Sequence, residues 1–413
     1  MGISGPRTVA TGDPMPVISS KASSLLLLIV AEMAGMSLWF TSAAVLPDLA
    51  REGTVGPVRQ ALMSSGVQAG FVVGALFVSI GGIADRLDPR RVFAVSAFGA
   101  AGVNAMLVAL PLGGDAAIAS RFLTGAFLAG VYPVGMKIAV GWGTRDRGLL
   151  VGMLVGALTL GKATPYLMAF AAGADWRAAT LATSALAAMG GLLILAAGLG
   201  PHHARSPKFD PWAIRLAWTD RRIRLAYLGY LGHMWELFAM WAWIGAAAAA
   251  SYAATLDGTN AESLAKLTAA LAIGAGALAC VLAGAVADRI GKAEVTIVAL
   301  AASGICAVLT AASFGGPVWI TFGLIVLWGI AVIPDSAQFS AIVADTAPSQ
   351  VAGSLLTFQT ALGFTLTIAT VQVTPMAAAA FGWPLVLSAM ALGPAVGIVA
   401  MLPLRRRRIH ATP

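Results

Sequence analysis

Seven ionisable side chains lie inside long apolar runs of this sequence, where such a group is costly to keep. On insertion scales, a charge at the centre of a membrane helix costs about 2.5–3.5 kcal/mol. Residues of this kind usually bind a ligand, carry a proton or pair with one another. The seven are Glu32, Arg121, Lys137, Lys162, His233, Glu236 and Asp335.

These charges are unevenly divided between the two parts of the chain. The first part is mainly basic, with Glu32 as its acid, and the second part holds the other acids and a histidine. We predict that Arg121 and Lys162 bind an anionic or polar group of a solute, and that Glu32 serves in binding or proton exchange. In the alternative interpretation Glu32 is a permanent partner of one of these cations. Lys137 is close enough to a helix end to reach water instead.

His233 and Glu236 are three residues apart and therefore share one face of a helix. Tryptophans flank them, including Trp241, so this face is either a proton relay or an aromatic binding wall. The structural alternative is a hydrogen-bonded pair that only packs the helix.

Asp335 follows Pro334, and the proline leaves a backbone carbonyl without its usual donor. We predict that Asp335 is a further proton-coupling residue, beside the acids and the histidine already named. Gln338 lies one turn further on and Gln359 lies at mid-depth of the next run, so both are predicted to make weaker solute contacts.

These side chains need helices that cross a membrane to hold them. The 413 residues are 59% hydrophobic and 11% charged, with a mean hydropathy of +0.85, whereas a soluble domain is about 25% charged. Backbone groups in hydrocarbon must bond internally, and the runs are too long and too uniform for barrel strands. We predict an all-α membrane protein with helices near 24–46, 59–84, 92–111, 115–140, 149–171, 178–199, 224–252, 266–287, 294–313, 318–343, 352–373 and 384–403.

The lysines and arginines indicate how the chain is oriented. The net charge of +8 comes from short basic clusters between apolar runs, which is typical of cytoplasmic loops and not of a nucleic-acid-binding groove. Most of the 26 basic residues fall on one side when both termini are placed in the cytoplasm. We therefore predict a multi-pass protein of a bacterial-type inner membrane with that orientation.

The apolar runs divide into two halves. We predict a flexible cytoplasmic tail over 1–22, six-helix bundles over 23–199 and 224–403, and a basic cytoplasmic tail over 404–413. The segment between the bundles, 200–223, is basic and contains several prolines. It is predicted to be a cytoplasmic linker, with an amphipathic turn from Trp212 to Trp218 on the membrane surface.

The two halves repeat one another. The second run ends in GGIADR at Arg86, and the eighth ends in GAVADRIGK at Lys292. Further matches at nearly the same offset are Pro133 with Pro334 and Gly161 with Gly363. Parallel repeats of six helices, related by an axis along the membrane normal, are a transporter architecture.

The repeated loops resemble a known family. The patterns G-x-x-x-D-R-x-G-K after the eighth run and G-x-x-x-D-R-x-x-x-R-R after the second are similar to signature loops of the major facilitator superfamily (MFS). The stretch from Arg121 to Gly125 resembles its R-x-x-x-G motif. The whole chain is more distantly similar to cyanate- and nitrate-type permeases. The resemblance implies alternating access to a central cavity that Arg121 faces.

The resemblance also implies a gate on the cytoplasmic side. In that superfamily the loop aspartate caps a helix of the opposite bundle and pairs with basic residues. By this match the gating residues are Asp85, Arg86, Arg90, Asp288, Arg289 and Lys292. Asp88 stands where the family usually has glycine, so the first turn is expected to differ. The alternative is that the basic residues only anchor the loops.

Two functions remain open, both of them secondary active transport. Arg121 and Lys162 favour proton-coupled movement of a small anionic or polar metabolite, whereas Glu32 and the aromatic seventh run favour proton-coupled drug efflux. The sequence has no phosphate-binding loop of the Walker type, so ATP-driven pumping is unsupported. Four histidines without a paired catalytic constellation argue against an enzyme. We expect no cofactor or metal, and a monomer in the bilayer that binds a small solute and protons.

Overall fold

The chain is described by a computed structural model over residues 20–52, 55–111, 113–143, 147–173, 175–202 and 209–405. Most of the predicted N-terminal tail, part of the linker and most of the basic C-terminal tail lie outside these residues. The described chain is helical, as the sequence predicts.

The described residues of the first half form nine α-helices. A short 3-10 turn follows α5 at Leu107–Ala109, and another follows α9 at Ile194–Ala196. The helices are α1 (Lys21–Met36), α2 (Thr41–Glu52), α3 (Pro57–Gly81), α4 (Ile83–Arg86), α5 (Pro89–Met106), α6 (Asp115–Leu128), α7 (Tyr132–Gly141), α8 (Arg147–Ala171) and α9 (Trp176–Leu193).

Residues 209–405 of the second half also form nine α-helices, the first of which belongs to the linker. A 3-10 turn at Pro211–Ala213 precedes α10, and another at Leu402–Leu404 follows α18. The helices are α10 (Ile214–Thr219), α11 (Arg221–Tyr252), α12 (Gly258–Ile290), α13 (Lys292–Ala312), α14 (Val318–Val332), α15 (Ser336–Thr346), α16 (Ser349–Phe381), α17 (Trp383–Met390) and α18 (Leu392–Met401).

Eleven helical units of the described chain are long and apolar enough to cross a membrane. They do not include α11, although it has 32 residues, because His233, Glu236 and several tryptophans lower its hydropathy. Most of α11 is buried in the protein, and a helix that faces protein needs less apolar surface than one that faces lipid. With α11 as the seventh span, the chain has the arrangement of the predicted twelve-helix fold.

Four of the described spans consist of two helices separated by a short break. In the fourth span, α6 and α7 are separated by residues 129–131, and in the tenth, α14 and α15 are separated by residues 333–335. Pro133 and Pro334 lie at these two breaks, and a proline lacks the amide donor and clashes with the carbonyl four residues earlier. The matching prolines therefore interrupt matching helices.

Glycines at equivalent positions give a second sign of the repeat. A Cβ atom on Gly161 of α8 would lie 2.5 Å from the carbonyl oxygen of Met33 in α1. A Cβ atom on Gly363 of α16 would lie 2.3 Å from the ring of Tyr230 in α11. In each half, the glycine of the fifth span thus allows close packing against the first span of that half.

The two halves pack along two seams. In one seam α8 lies against α12, and in the other α3 lies against α16. We call the end of the molecule that carries the linker the linker side, and the opposite end, where α2 and α8 end, the far side. The central region between the seams holds most of the buried ionisable residues.

Candidate functional site

The ammonium group of Lys162 lies inside a cage of aromatic rings at the centre of the molecule. Its Nζ atom is 4.3 Å from the ring centroid of Trp39, 4.4 Å from that of Phe238 and 5.3 Å from that of Trp241. Trp39 comes from the first half, and the other two rings come from α11 of the second. The side chain is only 2% exposed, so this cation is held in place by rings of both halves.

More rings close the cage on the outside. Phe71 of α3 lies 5.0 Å from Trp39 between ring centroids. Phe364 of α16 lies 4.9 Å from Phe71 and 5.0 Å from Phe238. Tyr166 of α8 donates a hydrogen bond of 2.6 Å to the carbonyl oxygen of Trp241. We refer to Trp39, Phe40, Phe71, Tyr166, Phe238, Trp241 and Phe364 as the aromatic cluster.

Glu32 lies near the cage in α1 and is completely buried. Neither of its carboxylate oxygens has a hydrogen-bond partner among the described residues. The charges of Glu32 and Lys162 act on each other, but no ion pair within 4 Å joins the two. The carboxylate rests against the first turn of α7, since a Cβ atom on Gly135 would lie 2.4 Å from Oε2.

Arg121 of α6 is also completely buried, but both terminal nitrogens of its guanidinium group already donate hydrogen bonds. Nη2 donates to the carbonyl oxygens of Leu38 (2.8 Å) and Trp39 (2.9 Å), and Nη1 donates to Oδ1 of Asn104. These carbonyls belong to the break between α1 and α2, so Arg121 satisfies acceptors that the helix leaves open. It supports the backbone of Trp39 and thereby the cage; the direct solute contact predicted for Arg121 stays a prediction.

His233 pairs with Asp335 and not with Glu236. Its Nδ1 atom lies 3.0 Å from Oδ1 of Asp335, and both side chains are 1% exposed. The geometry is that of an ion-pair contact and not of a well-aligned hydrogen bond, and Nε2 of His233 has no partner among the described residues. Each half thus places a titratable side chain of its first span, Glu32 or His233, beside the break in its fourth span.

Glu236 faces away from this pair, into the second half. Ser303 of α13 donates to Oε2 (2.9 Å), and the indole of Trp328 in α14 donates to Oε1 (2.6 Å). Both oxygens of Glu236 thus bind helices of its own half, and the predicted proton relay or binding wall on this helix face is not tested by these contacts. Its predicted proton-coupling role stays a prediction.

The other predicted contacts are less central. Gln359 of α16 is 1% exposed and its Oε1 accepts a bond of 3.4 Å from Ser340 of α15, while its Nε2 has no partner among the described residues. Gln338 of α15 is buried. Lys137 of α7 is partly exposed. Trp241, a further predicted solute contact, belongs to the aromatic cluster, whereas Gln359, Gln338 and Lys137 do not.

Polar contacts tie the halves together on the far side of the cage. Lys266 of α12 donates to Oδ2 of Asp48 (2.7 Å) and to the carbonyl oxygen of Gly173 (2.8 Å). Gln372 of α16 donates to Oγ of Ser65 in α3 (2.7 Å). A narrow cleft between the halves is lined by Lys266 and Tyr166, among others. The far side is thus closed at both seams.

Comparison with known proteins identifies the family. The sequence model of the Major Facilitator Superfamily matches residues 27–371. The chain belongs to the Major Facilitator Superfamily. It is therefore a multi-pass membrane protein, and family and fold point to a secondary transporter and not to an enzyme. No curated protein matches the sequence.

Solved structures of other MFS transporters have the same fold. A mutant of the nucleoside transporter NupG has a TM-score of 0.69 at 15% identity, over 93% of this chain and 100% of that one. The xylose transporter XylE from E. coli, in a partially occluded inward-open conformation, has a TM-score of 0.69 at 12% identity. The match covers 92% of this chain and 97% of that one. A D-xylose–proton symporter has a TM-score of 0.69 at 14% identity, and the match covers 93% of this chain and 97% of that one.

The first MFS signature loop turns at a glycine and is capped by Asp88. Gly82 adopts a left-handed conformation with φ of 58°, and Asp88 caps α5 by accepting a bond of 2.9 Å from the amide of Arg90. Partial burial acts to raise the pKa of Asp88, but the hydrogen bonds from Arg90 outweigh it and the net pKa is lowered. Arg90 also donates to the carbonyl oxygen of Ala197 (3.3 Å), so its described contacts lie within its own half.

The second signature loop keeps its glycine and holds an ion pair. Gly291 has φ of 116°, a conformation that other residues rarely adopt. Lys292 pairs with Asp345 at the end of α15, again within one half. Asp288 and Arg289 are exposed, as is Arg86, while the side chain of Asp85 lies outside the described residues. The gating role of these residues stays a prediction.

Sequence reasoning missed most of the cage. Trp39, Phe71 and Phe364 are ordinary aromatic residues of apolar runs, and their spacing does not reveal which face meets the other half. Asn104, which orients Arg121, is the one polar amide in its run, and that isolation was the available signal.

Proposed function

We propose that this MFS protein moves a small anionic or polar solute across the inner membrane by alternating access, coupled to protons. The observation that carries the proposal is the placement of Lys162. Its ammonium group is caged by rings of both halves, and among the described residues no acceptor forms a hydrogen bond with it.

The caged lysine favours an anion over a cation as the solute. A cation–π contact stabilises a desolvated ammonium group by about 2 kcal/mol, which is less than a direct ion pair provides in a dry site. An entering carboxylate or similar anion therefore draws Lys162 out of the rings. A cationic solute meets a cage that already holds a positive charge, and is repelled.

Such an exchange couples the site to the motion of the halves. When Lys162 leaves the rings of Phe238 and Trp241, contacts between α8 and α11 are lost at the centre of the molecule. The packing of Trp39 on Phe238, which crosses the halves, is then weakened, and with it the contact of Phe238 with Phe364 inside the second half. Solute binding thereby changes the relative stability of closed and open states, as alternating access requires.

Protons are proposed to use the titratable groups beside the helix breaks. Glu32 has two oxygens without hydrogen-bond partners among the described residues, and His233 with Asp335 occupies the equivalent place in the second half. An unpaired buried carboxylate is costly as an anion, so Glu32 takes up a proton when Lys162 turns to the solute. The D-xylose–proton symporter named above is a coupled carrier of the same fold.

The proposed orientation puts the linker side in the cytoplasm, with both termini there. Its support is the excess of lysine and arginine on that side. The far-side ties of Lys266 and Gln372 would then close the outward face of the molecule.

The decisive experiment measures solute charge preference in proteoliposomes. Purified protein is first screened for thermal stabilisation by small carboxylates (formate, acetate, lactate and succinate) and by the cations tetraphenylphosphonium and ethidium. The uptake of any stabilising compound is then compared between wild type, Lys162→Gln and the charge-conserving Lys162→Arg. We expect carboxylate binding and uptake to be lost in Lys162→Gln and to be kept in part in Lys162→Arg.

Two results would overturn the proposal. If Lys162→Gln transports the carboxylate as well as wild type does, the caged lysine is not the solute site. If only the cations stabilise the protein and drive exchange, the chain is a drug antiporter that uses Glu32 as its acid, which is the alternative left open by the sequence.

A further inference from the structure

The linker carries two exposed tryptophans that face away from the helix bundle. Trp212 is 66% exposed and Trp218 is 59% exposed. The small residues between them, Ala213 and Ala217, are buried at 4% and 1%. The segment Pro211–Thr219 thus has an inner face of alanines that packs on the bundle and an outer face with two large rings.

Basic side chains lie beside these rings. The guanidinium group of Arg215 stacks on Trp212 with 4.6 Å between its Cζ atom and the ring centroid, and Arg215 is itself exposed. Arg221 and Arg222 follow at the start of α11 and are exposed as well. Two acids of the segment are used as helix caps: Asp220 accepts bonds from the amides of Arg222 and Ile223, and Asp210 accepts one from the amide of Trp212. Arg222 also lines a cleft with Asp288 and Asp345.

The linker is held at the depth where lipid headgroups would lie. The amide of Asp210 donates to Oγ of Ser354 (2.8 Å), and the ring of Phe209 lies 5.3 Å from that of Phe358. These partners lie within the first three turns of α16, whose 33 residues span about 50 Å at 1.5 Å per residue. A hydrocarbon core is about 30 Å thick, so the first turns of α16 extend into the interfacial layer.

We propose that the outer face of Pro211–Thr219, together with Arg221 and Arg222, is a binding surface for anionic phospholipid headgroups. Tryptophan rings concentrate at the membrane interface because one edge is apolar and the other donates a hydrogen bond. Basic residues near an anionic leaflet each contribute about 1 kcal/mol. The surface continues into the exposed apolar side of α11, where Leu228 is 39% exposed.

This anchor has a consequence for the linker that joins the two halves. A segment bound to headgroups stays in the plane of the membrane while the halves move. Because it also packs on α11 and α16, it holds the linker side of the second half at a fixed depth.

The test uses the full-length protein in nanodiscs that contain a minority of brominated lipid, which quenches nearby tryptophans. Brominated phosphatidylglycerol is compared with brominated phosphatidylcholine at equal mole fraction, in wild type and in the double variant Trp212→Phe/Trp218→Phe. The signal lost in the double variant reports the linker rings. We expect it to be quenched by both lipids, with an enrichment of phosphatidylglycerol of about fivefold or more, the equivalent of about 1 kcal/mol.

A triple variant separates charge from aromatic insertion. Arg215→Gln/Arg221→Gln/Arg222→Gln keeps both rings and should remove the preference for phosphatidylglycerol. Wild type should lose that preference when NaCl is raised from about 0.05 M to about 0.5 M, because salt screens exposed charges. The matched control is Trp319→Phe on the far side, where the ring is 75% exposed; the preference should persist there.

Three outcomes would overturn the proposal. If neither brominated lipid quenches the two linker tryptophans, their rings face water or protein and not the membrane. Equal quenching by the two lipids, unchanged in the triple variant, means that no anionic headgroup is recognised. A shift from dimer to monomer in the Trp212→Phe/Trp218→Phe variant, seen by mass photometry, means that a second copy of the chain covers the face.

Discussion

Nζ of Lys266 lies 2.7 Å from Oδ2 of Asp48, and this ion pair joins the second half of the molecule to the first. The two side chains are 7% and 2% exposed. Because the pair is buried, neither charge can be left alone without cost. Any state that opens the far side must therefore separate these charges and bring water to both.

We expect Lys266→Gln or Asp48→Asn to destabilise the closed far side. Removing one partner of a buried pair costs about 3–5 kcal/mol, so the apparent Tm of the purified protein should fall clearly. The charge-swapped variant Asp48→Lys/Lys266→Asp should recover part of the loss. The control is Arg177→Gln, which breaks the exposed pair with Glu52 on the same side and within one half. An equal fall of Tm in that control would contradict the assignment.

Lys162 and Arg121 should respond to neutralisation in opposite ways. Lys162→Met removes a buried cation without a hydrogen-bond acceptor, so the Tm should stay the same or rise. Arg121→Met leaves the carbonyls of Leu38 and Trp39 unsatisfied, and each charged hydrogen bond contributes about 1.5–3 kcal/mol. Scanning fluorimetry should therefore show a large fall for Arg121→Met alone. The reverse order would mean that Lys162 is structural and Arg121 is the solute ligand.

Asp335 and Glu236 should differ in proton coupling. Asp335→Asn removes the charge beside His233 and should abolish accumulation driven by a pH gradient, while solute exchange continues. Glu236→Gln should keep the coupling, because an amide can still accept from Trp328 and donate to Ser303. Both activities are measured in the same proteoliposomes. Coupling that survives in the Asp335 variant but fails in the Glu236 variant would place the proton site inside the second half.

Gly135 should be necessary for the position of Glu32. In Gly135→Ala the new methyl group would lie 2.4 Å from Oε2, so the carboxylate must move and transport should fall by about tenfold or more. In Gly152→Ala on α8 the nearest atom is 4.0 Å away, and transport should stay normal.

A double variant tests whether Glu32 transmits the effect of Gly135. Adding Gly135→Ala to Glu32→Ala should cost little further stability, because the clash no longer exists. If the two losses simply add, the methyl group acts on α7 itself and not on the carboxylate.

The fold was predictable because its causes are local. Long apolar runs, breaks at proline and glycine, and the matching loops each depend on a few consecutive residues. The family and the all-α architecture are confirmed by the comparisons and the structure. Helix α11 is less apolar than the eleven described spans, but most of its residues are buried, so its pattern of tryptophans and polar residues reflects contact with protein.

The site was less predictable because its causes are distant in sequence. The sequence correctly singles out Lys162 and Glu32 as buried charges, but it cannot show that Lys162 sits between Trp39, in the break after α1, and two rings of α11. The pairing of His233 with Asp335, and not with Glu236, depends on how α11 is rotated against α14. Rotation about a helix axis is set by packing, and three residues of spacing leave it undetermined.

The break between α1 and α2 has no counterpart in α11. The first span can therefore bend at residues 37–40, where Arg121 is the strut that keeps the two segments aligned, whereas the seventh span must move as a straight rod. We expect the two halves to move differently in the transport cycle: the first half bends within its first span, and the second half rotates about a rigid α11. The two motions would meet at Trp39, whose ring contacts the ammonium group of Lys162.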